Sequence, residues 1–215
     1  MLRRREFMAY KDVLPSGYKR CKYLQSNNKQ YINTGIIQRR TRTWDVQIQQ
    51  SGTSGNGWVG TGVDYGAAAA VNLLGYGKIA CGISVNEAWK APIKSPVSAD
   101  FEKHSITLKS GLFIVDGFET TTPAWTNYDS RGVAITLFGF LTQWKNNKVV
   151  LITGEQKIYY HRVIDSEVTI QEFIPALDES GVPCMYDIIT ATPFYNNGSG
   201  TFGYELMDGT YVTPR

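Results

Sequence analysis

The segment WDVQIQ, residues 44–49, alternates apolar and polar side chains without a break. In an extended chain Trp44, Val46 and Ile48 fall on one side, and the three polar residues fall on the other. A segment with this pattern buries its apolar side and leaves its polar side in water. We therefore predict a half-buried strand here, with Trp44 in the core.

We predict β-strands along most of the chain. Further segments are rich in β-branched and aromatic residues and are bounded by turn residues, as strands are. No stretch carries a sustained apolar stripe at helical spacing. The predicted strands are YKRCKYL (18–24), KIACGISV (78–85), SITLK (105–109), VAITLFGF (133–140), KIYYHRVI (157–164) and VTIQEFI (168–174).

Turn-forming clusters separate these strands, for example SGTSGNG (51–57), KNN (145–147) and YNNGSG (195–200). The clearest hairpin signal is the pair Asp116 and Gly117, because both residues tolerate the positive φ of a type I′ turn. Many short strands without supporting helices predict antiparallel sheets packed face to face. We predict an all-β fold, an antiparallel two-sheet jelly-roll sandwich; no fixed-period repeat suggests a propeller or a solenoid.

Composition limits the classes of function. The chain has 215 residues, which suits one all-β domain. Its 22 basic and 19 acidic residues give a net charge of +3, spread along the chain, so we expect no nucleic-acid partner. The first residues are followed by no apolar stretch of the kind that secretory signals contain, and no run is long enough for membrane insertion.

Three cysteines, Cys21, Cys81 and Cys184, are widely spaced and form no CxxC pair. Free buried thiols in a reducing compartment fit this pattern better than a disulfide framework, and a single disulfide is the alternative. We expect synthesis in a cytoplasm.

The spacing of the acidic residues does not match that of a glycosidase active site. A retaining glycosidase needs two carboxyl groups about 5 to 5.5 Å apart, which a strand supplies by a pattern such as E-x-D-x-E. The chain has no such pattern; Asp100 with Glu102 falls in a predicted loop, and Asp178 with Glu179 is an adjacent pair. We therefore predict a protein without catalytic residues, and so not an enzyme.

The two histidines, His104 and His161, are predicted to be surface or strand-end residues rather than members of a catalytic triad. Two histidines and scattered cysteines give no zinc spacing, so we predict no cofactor and no metal. A calcium ion held by carboxylates at Asp64, Asp129 or Asp187 is an alternative to solvated side chains, but no D-x-D-x-D loop supports it.

The segment TPAWTNYDSRG, residues 122–132, brings aromatic, amide and charged groups into one polar stretch. Aromatic planes stack on the apolar faces of sugars, and polar groups bind the hydroxyls. A glycan-binding rim is therefore one interpretation, and a plug over the sandwich edge or a subunit contact is the other. The rim residues would be Trp125, Asn127, Tyr128, Asp129 and Arg131.

Two blocks, LPSGYKRCKYLQSNNKQYINTGI (14–36) and KIYYHRVIDSEVTIQEFIPALDESGVPCMYDIITATPFYNNGSGTF (157–202), resemble the opening and closing parts of a concanavalin A-like, laminin G-like jelly-roll domain. HSITLKSGLFIVDGFE (104–119) resembles its paired middle strands more loosely. Such domains occur in structural proteins of tailed bacteriophages and prophages. The resemblance places the jelly-roll domain at residues 14–215, after an N-terminal arm at residues 1–13.

The resemblance implies a non-enzymatic virion structural or decoration protein, associated with a capsid, a fibre or a tail and made in the host cytoplasm. Its partners would be other virion proteins, in a homo-oligomer or a multi-copy assembly. A carbohydrate-binding adhesin for host surface or mucus glycans is the alternative, and a glycoside hydrolase is less favoured.

The closing block also contains FIPALDESGVPCMYD, residues 173–187. The resemblance implies that this segment has a structural role, as a closure segment that joins the two ends of the chain within the sandwich. We expect Phe173 and Leu177 to point inward, and Pro175 to lie at a bulge or a strand end. Gly181 would supply the unusual backbone angles of a turn. Met185 and Tyr186 are predicted to pack rather than to act chemically.

The arm combines arginines, which can pair with carboxylates, and apolar residues, which can fill a groove on a neighbouring subunit. We predict that it orders only in an assembly; a solvated terminus is the alternative. Its partner-binding residues would be Arg3, Arg4, Arg5, Phe7, Met8 and Tyr10.

Overall fold

The computed structural model describes residues 13–55, 58–63, 67–72, 77–85, 88–89, 92–125, 133–143 and 149–215. Within these ranges all regular secondary structure is β-strand, and no helix occurs. The strands are β1 (Lys19–Gln25), β2 (Ile32–Ile37), β3 (Arg42–Gly55), β4 (Trp58–Val63), β5 (Ala67–Asn72), β6 (Lys78–Val85), β7 (Ala88–Trp89), β8 (Ile93–Ser98), β9 (Lys103–Lys109), β10 (Leu112–Val115), β11 (Phe118–Thr121), β12 (Ala134–Leu137), β13 (Gly139–Gln143), β14 (Val149–Asp165), β15 (Val168–Leu177), β16 (Pro183–Asp187), β17 (Thr192–Phe194), β18 (Gly203–Leu206) and β19 (Tyr211–Val212).

The strands form two sheets. Sheet A runs β11-β10-β9-β3-β14, and β14 then borders both β15-β16-β17 and β1-β18-β19. Sheet B runs β2-β12-β4-β5-β6-β8. Strand β13 pairs with β4 in parallel and with β14 antiparallel; the other pairings are antiparallel in the described part of the chain. The prediction of an all-β antiparallel two-sheet sandwich is confirmed.

One core lies between the sheets. It contains Trp44, Val46 and Ile48 from sheet A and Val71 and Ile135 from sheet B, each at most 1% exposed. The alternation read from residues 44–49 is therefore confirmed. Burial of this apolar surface is the main stabilising contribution to the fold.

The DG hairpin is also confirmed. Strands β10 and β11 pair in register up to Val115 and Phe118, and the two residues between them have φ values of 51° at Asp116 and 86° at Gly117. These are the angles that a type I′ turn requires.

The segment predicted as one strand at 133–140 is divided. Phe138 has a φ of 62° and separates β12 from β13. Its side chain is fully buried and lies 4.6 Å from the Phe202 ring, measured between centroids. Core packing at Phe138 thus accompanies a backbone angle that a bulky residue rarely adopts.

The closure segment behaves as expected except at its proline. Phe173 and Met185 are fully buried in the core, and Gly181 has a φ of 80° in the turn that joins β15 to β16. Pro175, however, pairs with Met185 inside β15 without a register shift. On its other side, β14 pairs as far as Phe173 and β1 pairs from Ala176, so the proline lies where the neighbouring strand changes.

A second, smaller cluster covers the outer side of β15 and β16. Its buried members are Ile174, Ala176, Cys184 and Tyr186, and the partly buried residues Leu14, Tyr18 and Ile188 pack on it. Tyr18 and Tyr186 meet edge to face, with ring centroids 5.3 Å apart. The packing predicted for Tyr186 is confirmed, and the chain before β1 is fixed to the outside of sheet A.

Candidate functional site

The solvent side of sheet A carries a continuous array of polar and aromatic side chains, which we call the polar face. The alternation that buries Trp44, Val46 and Ile48 turns the residues between them outward. Neighbouring strands present their own outward residues beside these. The polar face consists of Tyr23, Asp45, Gln47, Gln49, Lys103, Ser105, Thr107, Lys157, Tyr159, Tyr160, Arg162, Glu172 and Glu205.

A bulge in β14 adds an aromatic residue to this face. The β14–β3 register shifts between Ile158 and Tyr160, while Ile158 and His161 are both fully buried. The two residues between them, Tyr159 and Tyr160, are both partly exposed. The shift thus places two consecutive tyrosines outward, which regular alternation does not allow.

One end of the polar face is an ion-pair row across four strands. Each residue of the row lies in register with the next one on the neighbouring strand, in the order Thr107, Asp45, Arg162 and Glu172. Arg162 donates to Asp45 from Nε at 3.1 Å and from Nη2 at 2.5 Å, and the Thr107 hydroxyl donates to the other oxygen of Asp45 at 2.6 Å. The Tyr160 hydroxyl donates to Glu172 at 2.9 Å. Opposite charges in register hold these side chains in fixed positions.

The other end is aromatic and cationic. Tyr23 and Tyr159 pack edge to face with centroids 5.2 Å apart. The Lys157 ammonium lies 4.4 Å from the Tyr23 centroid, and the Lys103 ammonium lies 5.0 Å from the Tyr159 centroid. Burial, with the nearby Glu205 carboxylate, raises the pKa of Tyr159 to about 12, so its hydroxyl stays protonated and donates to Gln49. Cation–π contacts of this kind stabilise the arrangement.

This surface offers hydroxyl, amide, carboxylate and ammonium groups at fixed positions. Such groups bind the hydroxyls and acidic substituents of extended polar ligands. The outward positions on β3 follow from the sequence pattern. The proximity of these β3 residues to Tyr159 could not be predicted from the sequence. It depends on a bulge in β14 and on pairing between residues more than a hundred positions apart.

The structure describes one residue of the predicted glycan rim. Trp125 is fully buried within the main core, and its backbone N–H donates to the Ser110 hydroxyl at 2.9 Å. In this position its ring packs in the core and is not accessible to a sugar. Asn127, Tyr128, Asp129 and Arg131 lie outside the described residues, as do Arg3, Arg4, Arg5, Phe7, Met8 and Tyr10 of the arm.

The two histidines differ in their surroundings. His104, at the start of β9, lies 2.7 Å from Asp116 through Nδ1 and 2.9 Å from Asp100 through Nε2. It is a strand-end residue, as predicted, and ties the loop before β9 to the DG turn. The prediction for His161 is wrong: it is fully buried between Trp44 and Phe173, since the β14 bulge shifts the alternation and turns it inward.

The acidic residues considered for chemistry form local structure. Asp100 accepts from the Glu102 N–H at 2.8 Å, and Asp178 accepts from the N–H groups of Ser180 and Val182 within its turn. Asp187 is fully buried and accepts from the Glu172 N–H and the Thr190 hydroxyl. Asp64 and Asp129, the other two candidates for calcium, lie outside the described residues.

Within the described ranges, no three metal-ligating side chains are grouped around a common point. The same residues include no helix with the length and apolar character needed to cross a membrane. All three cysteines are free and buried, as predicted. A comparison of the chain with protein-family models and with curated proteins finds no match.

Proposed function

We propose that this chain is a non-enzymatic β-sandwich module of a virion, where it presents a binding surface to the outside. Two considerations support the proposal. The end blocks of the sequence resemble jelly-roll domains of phage structural proteins, and the fold is a two-sheet sandwich, which is the architecture that the resemblance implies. The partners would be other virion proteins and further copies of the chain.

The observation that carries the binding role is the order of the polar face. Its charged side chains are paired in register, and its tyrosines are held by edge contacts, hydrogen bonds and lysines. A ligand that binds such a surface loses little energy in ordering it, because the side chains are already fixed. Preorganisation of this kind favours a recognition surface over a merely solvated sheet face.

Localisation tests the virion part. Intact particles should contain the chain at a fixed copy number, and labelling of intact particles should modify Lys103 and Lys157. If the chain is instead found free of particles and releases reducing ends from a polysaccharide, the proposal is wrong. Loss of that release in Asp100→Asn or Glu102→Gln would identify a hydrolase.

A second candidate function is glycan binding, favoured by the tyrosines, amides and ammonium groups of the polar face. A glycan array compares the wild type with Tyr159→Ala and Gln49→Ala. Binding should weaken roughly fivefold or more in each, since one stacking or hydrogen-bonding contact is worth about 1 kcal/mol. Tyr195→Ala, whose tyrosine is exposed beside Asp178, is the matched control. Equal binding by all variants would exclude the polar face as the glycan site.

A further inference from the structure

Three side chains with polar atoms occupy neighbouring positions of β3, β14 and β15 on the inner face of sheet A, and we call them the inner polar cluster: Trp44, His161 and Gln171. In register, His161 lies opposite Val46 and Phe173. The next inward residue of β14, Val163, lies opposite Trp44 on one side and Gln171 on the other. Both therefore flank His161 diagonally, and the Trp44 and His161 ring centroids are 6.2 Å apart.

The cluster is sealed from solvent. Trp44 and His161 are 0% exposed and Gln171 is 3% exposed. The Gln171 amide nitrogen donates to the Thr34 carbonyl at 3.1 Å, which directs the other amide atom, Oε1, away from that bond. Four buried side-chain atoms of the cluster have no hydrogen-bond partner among the described residues: Trp44 Nε1, both ring nitrogens of His161, and Gln171 Oε1.

Four buried polar atoms without hydrogen-bond partners would destabilise the folded protein substantially. A buried polar atom without a partner destabilises a protein by about 1 to 3 kcal/mol. Four of them would cancel a large part of the roughly 5 to 15 kcal/mol by which a domain is stable. Buried polar atoms that lack a protein partner are ordinarily bonded to internal water.

We propose that the inner polar cluster is a binding site for internal water, with two molecules beside His161. A neutral imidazole has one N–H donor and one acceptor nitrogen. With the Trp44 indole N–H and Gln171 Oε1, the cluster thus offers two donors and two acceptors, which water matches. The two ring nitrogens point in different directions, so one molecule cannot serve both. One water bridges Trp44 and His161, and the other bridges His161 and Gln171.

Nuclear magnetic resonance of the full chain in water tests this directly. The indole proton of Trp44 should show a cross-relaxation peak to water whose sign in the rotating frame marks a bound molecule rather than proton exchange. Absence of that peak from the folded protein would overturn the proposal, and this measurement requires no variant.

Water relaxation dispersion then counts long-lived internal molecules. His161→Phe should lose two of them relative to the wild type, whereas Gln47→Ala on the polar face should lose none. If His161→Phe folds and its count equals that of the wild type, the waters are not held by His161 and the proposal fails. If this variant does not fold, Trp44→Phe, which should lose one molecule, takes its place.

Discussion

Gly200 and Arg215 approach each other so closely that a methyl group on Gly200 would lie 1.9 Å from the Arg215 carbonyl oxygen. The same carbonyl accepts from the Thr201 N–H at 2.8 Å and from the Gln30 amide at 2.9 Å. The loop after β17 is thereby joined to the segment between β1 and β2 and to residues 214–215. The glycine is required here both for space and for its φ of +73°.

Gly200→Ala should therefore be strongly destabilising. Gly209→Ala is the matched control, because Gly209 has a φ of +94° but no atom within 4 Å of an added methyl group. Both variants should lose about 1 kcal/mol to backbone conformation, and Gly200→Ala should lose a further 1 to 3 kcal/mol or so to overlap. Urea unfolding measures both. Equal free energies of unfolding would show that the loop yields without cost.

Acid should destabilise the sandwich through His161. Burial lowers the pKa of this histidine from 6.5 to about 3, so the folded protein holds it neutral while the unfolded chain protonates it below about pH 6.5. Its contribution to stability is complete above that pH and is lost progressively as the pH falls toward 3. The loss should reach a few kcal/mol, since a tenfold change in proton affinity is worth about 1.4 kcal/mol.

Unfolding free energies of the wild type and of His161→Phe between pH 7 and pH 4 check this expectation. Other groups also titrate over that range, so the quantity to compare is the difference between the two proteins. The difference should shift in favour of His161→Phe as the pH falls. A difference that does not change with pH would contradict the assignment of a neutral buried histidine.

Trp125→Ala should damage the fold. The side chain is fully buried in the main core, and removing a buried tryptophan costs about 3 to 5 kcal/mol. Phe118→Ala is the control, because Phe118 is 59% exposed and its loss should change the stability little. Chemical denaturation measures both. A stable Trp125→Ala variant that had lost glycan binding would instead favour the rim interpretation.

The three thiols should be unreactive in the native protein. Burial raises the pKa of Cys21, of Cys81 and of Cys184 to about 12 in each case, so almost no thiolate is present at pH 8. A thiol reagent should label none of them rapidly at this pH, and all three once denaturant is added. Rapid labelling of one cysteine under native conditions would locate a local opening of the sandwich at that residue.

Removal of residues 1–12 should leave the melting temperature nearly unchanged and should prevent incorporation into particles or oligomers. Deletion of residues 1–18 is the comparison, because it also removes Leu14 and Tyr18 from the cluster outside β15 and β16. That longer deletion should lower the melting temperature, as measured by scanning calorimetry. Normal assembly without residues 1–12 would refute the anchoring role predicted for the arm.

The sequence is a good guide where local pattern decides the structure. Residues 44–49 and 78–85 show their strands directly, and the DG turn fixes its own hairpin, because both features depend on neighbours in the chain. The break at Phe138 could not be predicted in this way. It accompanies packing of the Phe138 ring against Phe202, which lies far away in sequence.

The candidate site was predicted less well, for a related reason. A single bulge beside Tyr159 reverses the alternation of β14, turning His161 into the core and both tyrosines outward. The pattern around Trp125 left a glycan rim and a plug over the sandwich edge both open, and the ring is buried in the core. Register shifts and tertiary burial of this kind leave no periodic signal in the sequence.

Strand β14 belongs to both sheets, and this affects how the sandwich can come apart. Its first residues, Val149–Thr153, pair with β13 in sheet B, and the residues from Gly154 onward pair with β3 in sheet A. Separation of the two sheets therefore requires β14 to lose its hydrogen bonds either with β13 or with its neighbours in sheet A. The seventeen residues of this single strand thus link the two layers of the sandwich and oppose their separation.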